Sequence, residues 1–473
     1  MKQRMGNKKR FTAILLGVLL VLSLGLVKLY RTLDVKYPWL WMYLTDTVKP
    51  SSKTVTSGPK HVMFLFVDHF EPHEQNAMDS WMKGYPKMAS KHLDSDGKHP
   101  QHSWFWFFSQ SDLEEKKSFL TQLANLVYRG YGEIELHMHH GNDNEESFLK
   151  QMNEAIMLSK EVGAMVSQET QPRQIFAFIH GMWGLDNSRG IGYCGVNNEL
   201  ILLRKLGCYA DFTNPSWGSA HSRMVNRLYY ATDDSTRPKS HDTGTVMEVG
   251  KPGIGDLLMF TGQSVVGFKD IKPSYDHGEV DHEYLPTPER IDSWVKKAIS
   301  VKGRPEWVFI KVFSHGALAQ DHDVMLGDWA DRLYSHLEKH YNDGSAYVLH
   351  YVTAREAYNI AKAAEAGKQG NPSQYRDFLI PPYVNRFISS PVPYETISMS
   401  DDKAVIRFLV DPGSHFSISL HASQVSVSGD AVVRESKETN GETMISLGTK
   451  GGGVVGFTFK RSGTGDASSI HET

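Results

Sequence analysis

The sequence predicts a seven-stranded (β/α) barrel followed by a small β-sandwich, with a transmembrane helix ahead of both. Three observations carry that expectation. Continuous apolar runs recur along the chain, helical patterns with start signals lie between most of them, and after a polar linker the texture changes to short alternating runs. Continuous apolar strands alternating with amphipathic helices indicate a parallel sheet covered on both faces, and seven such runs favour a closed barrel over an open sheet.

The seven runs are "HVMFLFV" (61–67), "IELHM" (134–138), "QIFAFI" (174–179), "CYADF" (208–212), "DLLMF" (256–260), "WVFIKVF" (307–313) and "AYVLHYV" (346–352). Between them, Ser111 stands three residues before Glu114 and ahead of Phe119, Leu120, Leu123, Leu126 and Val127, which is a capping box opening an amphipathic helix. Thr287-Pro288 opens another, with Ile291, Trp294, Val295, Ala298 and Ile299 on one face. Thr353 and Glu356 form a third start signal. These elements place the barrel at 61–366. "GKQGNPSQ" then reads as a linker, and "AVIRFLV" (404–410), "SISLHA" (417–422), "VSVSG" (425–429) and "TMISLG" (443–448) read as antiparallel strands, with Asn440-Gly441 as a hairpin turn. A β-sandwich over 385–461 and a disordered tail over 462–473 complete the chain.

The N-terminus reads differently. A basic stub, "MKQRMGNKKR" (1–10), precedes the uncharged run "FTAILLGVLLVLSLGLV" (11–27), which is longer than a signal-peptide core and at the short end of a membrane span. No small-x-small cleavage site follows it, so the expectation is an uncleaved single-pass anchor over 11–30. The charge bias puts the N-terminus in the cytoplasm and the rest of the chain outside it. Within the connecting segment 31–60, "YPWLWMYL" suits either the membrane interface or core packing. A formal charge of -3 sets nucleic acid aside as a partner, because phosphate binding draws on clustered excess Lys and Arg. The two cysteines, Cys194 and Cys208, are compatible with a disulfide or with two buried thiols, and they lack the close C-x-x-C spacing of a two-cysteine zinc site.

Barrel chemistry sits at the C-terminal ends of the strands. "HVMFLFV" ends in Asp68-His69-Phe70-Glu71, "QIFAFI" in His180-Gly181-Met182-Trp183, and "WVFIKVF" in Ser314-His315-Gly316, while "CYADF" carries Asp211. The stretch "GEIELHMHHGND" (132–143) runs an alternating strand into His137, His139 and His140. A strand puts i and i+2 on one face, so His137 and His139 point together and His140 points away. Several strands delivering His or Asp to one rim suggest a metal site with three protein ligands and a position left open. "GKPGIGD" (250–256) precedes a strand and does not join strand to helix, so no nucleotide cofactor is expected. His221, His241, His277 and His282 fall in a long insertion and read as mostly solvated, whereas His350 reads as a satisfied core residue.

The order of these motifs resembles the NodB-homology polysaccharide deacetylases, over roughly 60–360. "VDHFEP", "ELHMHHG", "HGMWGLDNSRG", "CGVNNEL" and "GCYADFTNPS" resemble a divergent branch of that superfamily. The resemblance implies a distorted seven-stranded barrel and a divalent metal, most simply zinc. It implies Asp68 as general base, or alternatively as a ligand, His69 as a ligand where the family has its second Asp, and His137 as a ligand. Gly141 stands where the family has a second histidine, and the strand geometry makes His139 the better substitute than His140. His315 matches the general acid. His180 stands near the place of a family arginine, and Trp183, Asp186 and Arg189, with Asp211, are placed along a sugar groove, although a Trp in a Gly-rich turn equally suits a packing plug. The function implied is removal of N-acetyl groups from a polysaccharide. A glycosidase using Asp68 and Asp211, or a glycan-binding protein without turnover, is the alternative.

Overall fold

A computed structural model describes residues 22–48, 58–108, 113–162, 164, 175–269, 271–382, 388–390, 392, 394–399, 402–408, 410–420, 422–439 and 442–461. Its centre is β1 (Lys60–Phe70), buried at every position from Val62 to Phe70, as a continuous apolar run covered on both faces requires. One edge of β1 pairs along its length with β11 (Trp307–Ser314). The other edge is shared. Its first half pairs with β12 (Tyr347–Tyr351), and its second half with β2 (His102–Phe108). From β2 the parallel ladder continues through β3 (Gly132–Met138), β4 (Phe176–His180), β5 (Cys208–Asp211) and β8 (Leu257–Phe260). The short strand β6 (Leu228–Ala231) runs against β8 and carries β7 (Thr245–Val246) at the edge, and β9 (Val265–Lys269) and β10 (Lys272–Asp276) form a separate antiparallel hairpin. The protein is thus a mixed α/β fold built on a parallel sheet.

Two features differ from the sequence expectation. β2, "HSWFWFF", was not among the seven runs, and it sits in the middle of the sheet. Closure is also incomplete: among the described residues no ladder joins β8 to β11. The sheet curls enough for Phe260 of β8 to meet Phe309 of β11 at 5.5 Å between ring centroids. The free edge of β11 is met by irregular segments, through single bridges at Ile299–Phe309 and Glu279–Phe313.

The helix starts follow local chemistry. Thr353 and Glu356 form the expected reciprocal cap on the helix Ala354–Glu365, and Asn144 with Ser147 caps the helix Glu145–Glu161. Pro288 begins the helix Pro288–Lys297, and Ser111 lies outside the described residues. The C-terminal part holds two four-stranded antiparallel sheets, β13 (Ile388–Ser389), β16 (His415–Leu420), β19 (Glu442–Thr449) and β18 (Ala431–Thr439) in one, and β14 (Tyr394–Met399), β15 (Lys403–Phe408), β20 (Val454–Arg461) and β17 (Ala422–Gly429) in the other. Asn440, Gly441 and the tail 462–473 lie outside the described residues, and Thr439 pairs with Glu442 across the hairpin.

The membrane expectation is overturned. Among the described residues no helix is long and apolar enough to cross a membrane. Residues 1–21, with most of the apolar run, lie outside the described residues. The helix over 22–36 carries Lys28, Arg31, Asp34 and Lys36, and those charges end its apolar character within two turns. Both Asp34 oxygens accept from the Arg223 guanidinium at 2.7 Å. In the following helix (Leu40–Val48) Asp46 pairs with Arg227. Trp39, between the two helices, is 4% exposed and stacks on Tyr275 at 4.7 Å. The aromatic segment therefore packs on the catalytic-sized unit and is no bare linker. Replacing Trp39 with alanine should lower stability by about 3 kcal/mol, the usual loss for a buried large aromatic, read as a lower urea midpoint at unchanged slope.

Candidate metal centre

The alternation of β1 decides what reaches the rim. Asp68 and Phe70 face the helix layer, whereas His69 and Glu71 face the other way, toward the interior of the curled sheet. Asp68 is fully buried, and one oxygen accepts from His102 Nε2 at 3.0 Å while the other accepts from the Gly316 backbone N–H at 2.7 Å. Trp81 Nε1 donates to the Gly316 carbonyl at 2.8 Å. Asp68, expected as the base, thus has each oxygen engaged, and it braces the turn that carries His315.

On the interior face, three strand ends converge. His69, Glu71 and His137 each offer a ligand atom, all within 4.8 Å of one another. His137 Nδ1 donates to the Ile179 carbonyl on the adjacent β4 at 2.9 Å, which fixes the tautomer and turns Nε2 into the cluster, 3.0 Å from Glu71 Oε1. His139 follows two residues on, with its Nε2 3.2 Å from the same carboxylate oxygen and 3.0 Å from His137 Nε2. Its side chain is 32% exposed, so it stands at the mouth. A Cβ at Gly181 would run into the His139 ring, which is why glycine is needed there. His315 completes the group, its ring 4.7 Å from that of His69.

The electrostatics suit a cation. Burial, reinforced by His315 and His137 nearby, holds the His69 imidazole well below the usual histidine range, and burial also lowers His137. Both are neutral, the form that binds metal. Burial opposes charge on Glu71, but the His137 and His139 imidazoles set against its carboxylate prevail and hold it well below the usual carboxylate range. Two neutral imidazoles and one carboxylate offer a divalent cation an incompletely neutralised, three-donor site. Glu71 was not singled out from the sequence, although period-two spacing from His69 marks it.

Beneath this mouth lies a second polar group. His140 points away from its neighbours, as expected, into a buried cluster with His180, Cys194 and Glu199, whose ligand atoms also lie within 4.8 Å of one another. Burial works against a proton on His140, but hydrogen bonds to Asp143 at 3.0 Å and Glu199 at 3.1 Å raise it to about 9. His180, fully buried, is lowered to about 3 by that burial. The third histidine–carboxylate group, Asp94, Asp96 and His350, already has a cation in Arg376, which bonds Asp96 at 2.9 Å.

The remaining expected groove residues separate. Trp183 is half-buried in the turn after β4, and Arg189 is exposed, its guanidinium over the Tyr193 ring at 4.1 Å and bonded to the Met182 carbonyl. Asp186 is fully buried and accepts from the Ser240 N–H at 2.5 Å, so it lines no groove. Burial, with Asp233 nearby, raises it to about 8. Asp211 is buried too, bonded to Thr213 N and Oγ1, and is raised by burial beside Lys311. Of the insertion histidines, His221, His241 and His277 are buried and only His282 reaches solvent, because the insertion packs on the sheet. Cys194 and Cys208 are separate free thiols.

No family model matches this chain, and no curated protein matches it. Among solved structures it is similar to the 4-alpha-glucanotransferase from Thermococcus litoralis, at 14% identity over 69% of this chain and 47% of that one, with a TM-score of 0.26. The chain spans about half the length of that enzyme, and a likeness at that score carries no argument about this site.

Asp68→Ala should lower stability by roughly 3 kcal/mol, since it strands the buried His102 nitrogen and the Gly316 N–H. Chemical denaturation of the purified variant measures this, and wild-type stability with lost activity would instead restore Asp68 as the base.

Proposed function

We propose that the chain is a metal-dependent hydrolase of the polysaccharide deacetylase type, removing N-acetyl groups from a polysaccharide. The observation that carries the reading is the convergence of His69, Glu71 and His137 at the C-terminal ends of parallel strands, with His139 and His315 beside them at the mouth. The donor set fits a divalent cation, zinc first, because two imidazoles held neutral and one ionised carboxylate meet at one point. Bound there, such an ion would polarise the amide carbonyl and make water a better nucleophile at neutral pH.

The chain's own residues handle the rest. The Ile179 carbonyl orients the His137 ring through Nδ1, and Glu71 accepts from His139 Nε2. His139, reachable from solvent, takes the proton of the attacking water. His315, on the other side of His69, delivers a proton to the departing amine. Asp68 and His102 act through Gly316, holding the turn that presents His315. A glycosidase needs two carboxylates facing a cleft. Asp68 is occupied by His102 and Gly316, and Asp211 by Thr213, so that alternative loses its pair.

Acetate release from an N-acetylated glycan, measured beside bound metal, tests the reading. His69→Ala, Glu71→Ala and His137→Ala should each lower bound metal and abolish release. His315→Ala should leave metal content unchanged while turnover falls by roughly a hundredfold. A metal-loaded wild type that releases no acetate would leave glycan binding without turnover as the better account, and undiminished metal in both His69→Ala and His137→Ala would remove the ligand assignment.

A further inference from the structure

The buried group under the mouth has the construction of a second, closed metal site. Its donors come from four places: His140 just past β3, His180 at the end of β4, Cys194 in the following loop, and Glu199 at the first position of the helix Glu199–Leu206. Each is fully or almost fully buried. The two histidines are oriented alike. His140 Nδ1 is 3.0 Å from an Asp143 oxygen, and His180 Nδ1 donates to the Gly181 carbonyl at 2.6 Å, so each ring is fixed by its outer nitrogen with Nε2 turned inward. That is the outer-partner arrangement of metal-bound imidazoles.

The His180 ring supplies the deciding observation. Its Nε2 is buried with no hydrogen-bond partner, 3.6 Å from Glu199 Oε1, beyond hydrogen-bonding distance. A buried ring nitrogen aimed at a carboxylate and a thiol, yet bonded to neither, is an unmet demand for a ligand. Cys194 Sγ stands 3.4 Å from the other Glu199 oxygen, on the same side.

We propose that His140, His180, Cys194 and Glu199 bind one thiophilic divalent cation of the zinc class as a structural site, separate from the three-donor site at the mouth. The charges close. Binding displaces the Cys194 thiol proton and the proton held between His140 and Glu199, so a thiolate, a carboxylate and two neutral imidazoles neutralise a divalent ion. Four protein donors without solvent make a structural site, while three donors at the mouth leave a position open.

What the ion would hold is the loop between His180 and Glu199. Met182, Trp183, Asp186 and Asn187 all have φ between 51° and 53°, in the left-handed region that side chains other than those of Asn and Asp rarely adopt. Such a backbone persists where its surroundings over-determine it, and anchoring at His180, Cys194 and Glu199 does this from both ends. The same loop includes Gly181, against which His139 packs.

The test is optical and needs no substrate. The full chain, stripped with a chelator and reloaded with cobalt(II), should show a near-ultraviolet thiolate-to-cobalt charge-transfer band. The band should survive in His137→Ala and in Cys208→Ser, and vanish in Cys194→Ser. Cobalt-loaded wild type without the band would overturn the proposal, and so would a band lost in Cys208→Ser. Should Cys194→Ser fail to fold, wild type against Cys208→Ser still assigns the thiol.

Discussion

The period-two alternation of one strand governs this molecule. Among the described residues β1 is the only strand bonded to three others, and at its C-terminal end consecutive side chains must serve opposite faces. Asp68 serves the helix side, where it joins β2 through His102 and the turn after β11 through Gly316. His69 and Glu71 serve the interior, where they meet His137 of β3. The bracket and the cluster are thus built from adjacent residues. Because β11 and β3 lie on opposite sides of β1 in the ladder, His315 and His137 can flank His69 only while that order of strands holds.

Much of this was legible in the sequence. Apolar runs without alternation mark the buried parallel strands, and the turn toward His and Asp at the end of five of them marks the rim. The i, i+2 rule correctly separated His137 and His139 from His140. Two things were obscured. "HSWFWFF" opens with a histidine and holds five consecutive aromatics but no β-branched residue, so it lacks the aliphatic signature of the other runs, although aromatic residues suit a buried strand. The role of Glu71 was hidden for another reason. Motif correspondence points to Asp68 as the base, whereas the same period-two alternation that pairs His137 with His139 pairs His69 with Glu71. The closed network of His140, His180, Cys194 and Glu199 was beyond reach, because residues spread over 60 positions become neighbours only through the order of β3 and β4 and the loop that follows.

The interior below the cluster is unusually polar for a parallel sheet. Glu133 pairs with Arg355 and accepts from Thr353, Glu135 accepts from Tyr209, and Lys311 donates to the carbonyls of Phe212 and Asn214. Each buried charge or carboxyl is met, which is what makes such an interior tolerable. The partners tie β3 to the helix Ala354–Glu365 and β11 to the segment after β5. These are links that a sheet open between β8 and β11 cannot obtain from backbone hydrogen bonds.

That polarity also shapes the charge seen by the mouth. Lys311 lies on the same face of its strand as Phe313, below His69, and burial lowers its tendency to hold a proton. It adds to the influences that keep His69 neutral, alongside His315 and His137. Glu71 is the single carboxylate among the residues that converge there, and it is anchored by two imidazoles. A site with one firmly ionised carboxylate and rings kept neutral by burial and mutual repulsion is poised for a cation in a way that a surface histidine loop, with its rings free to take protons from water, is not.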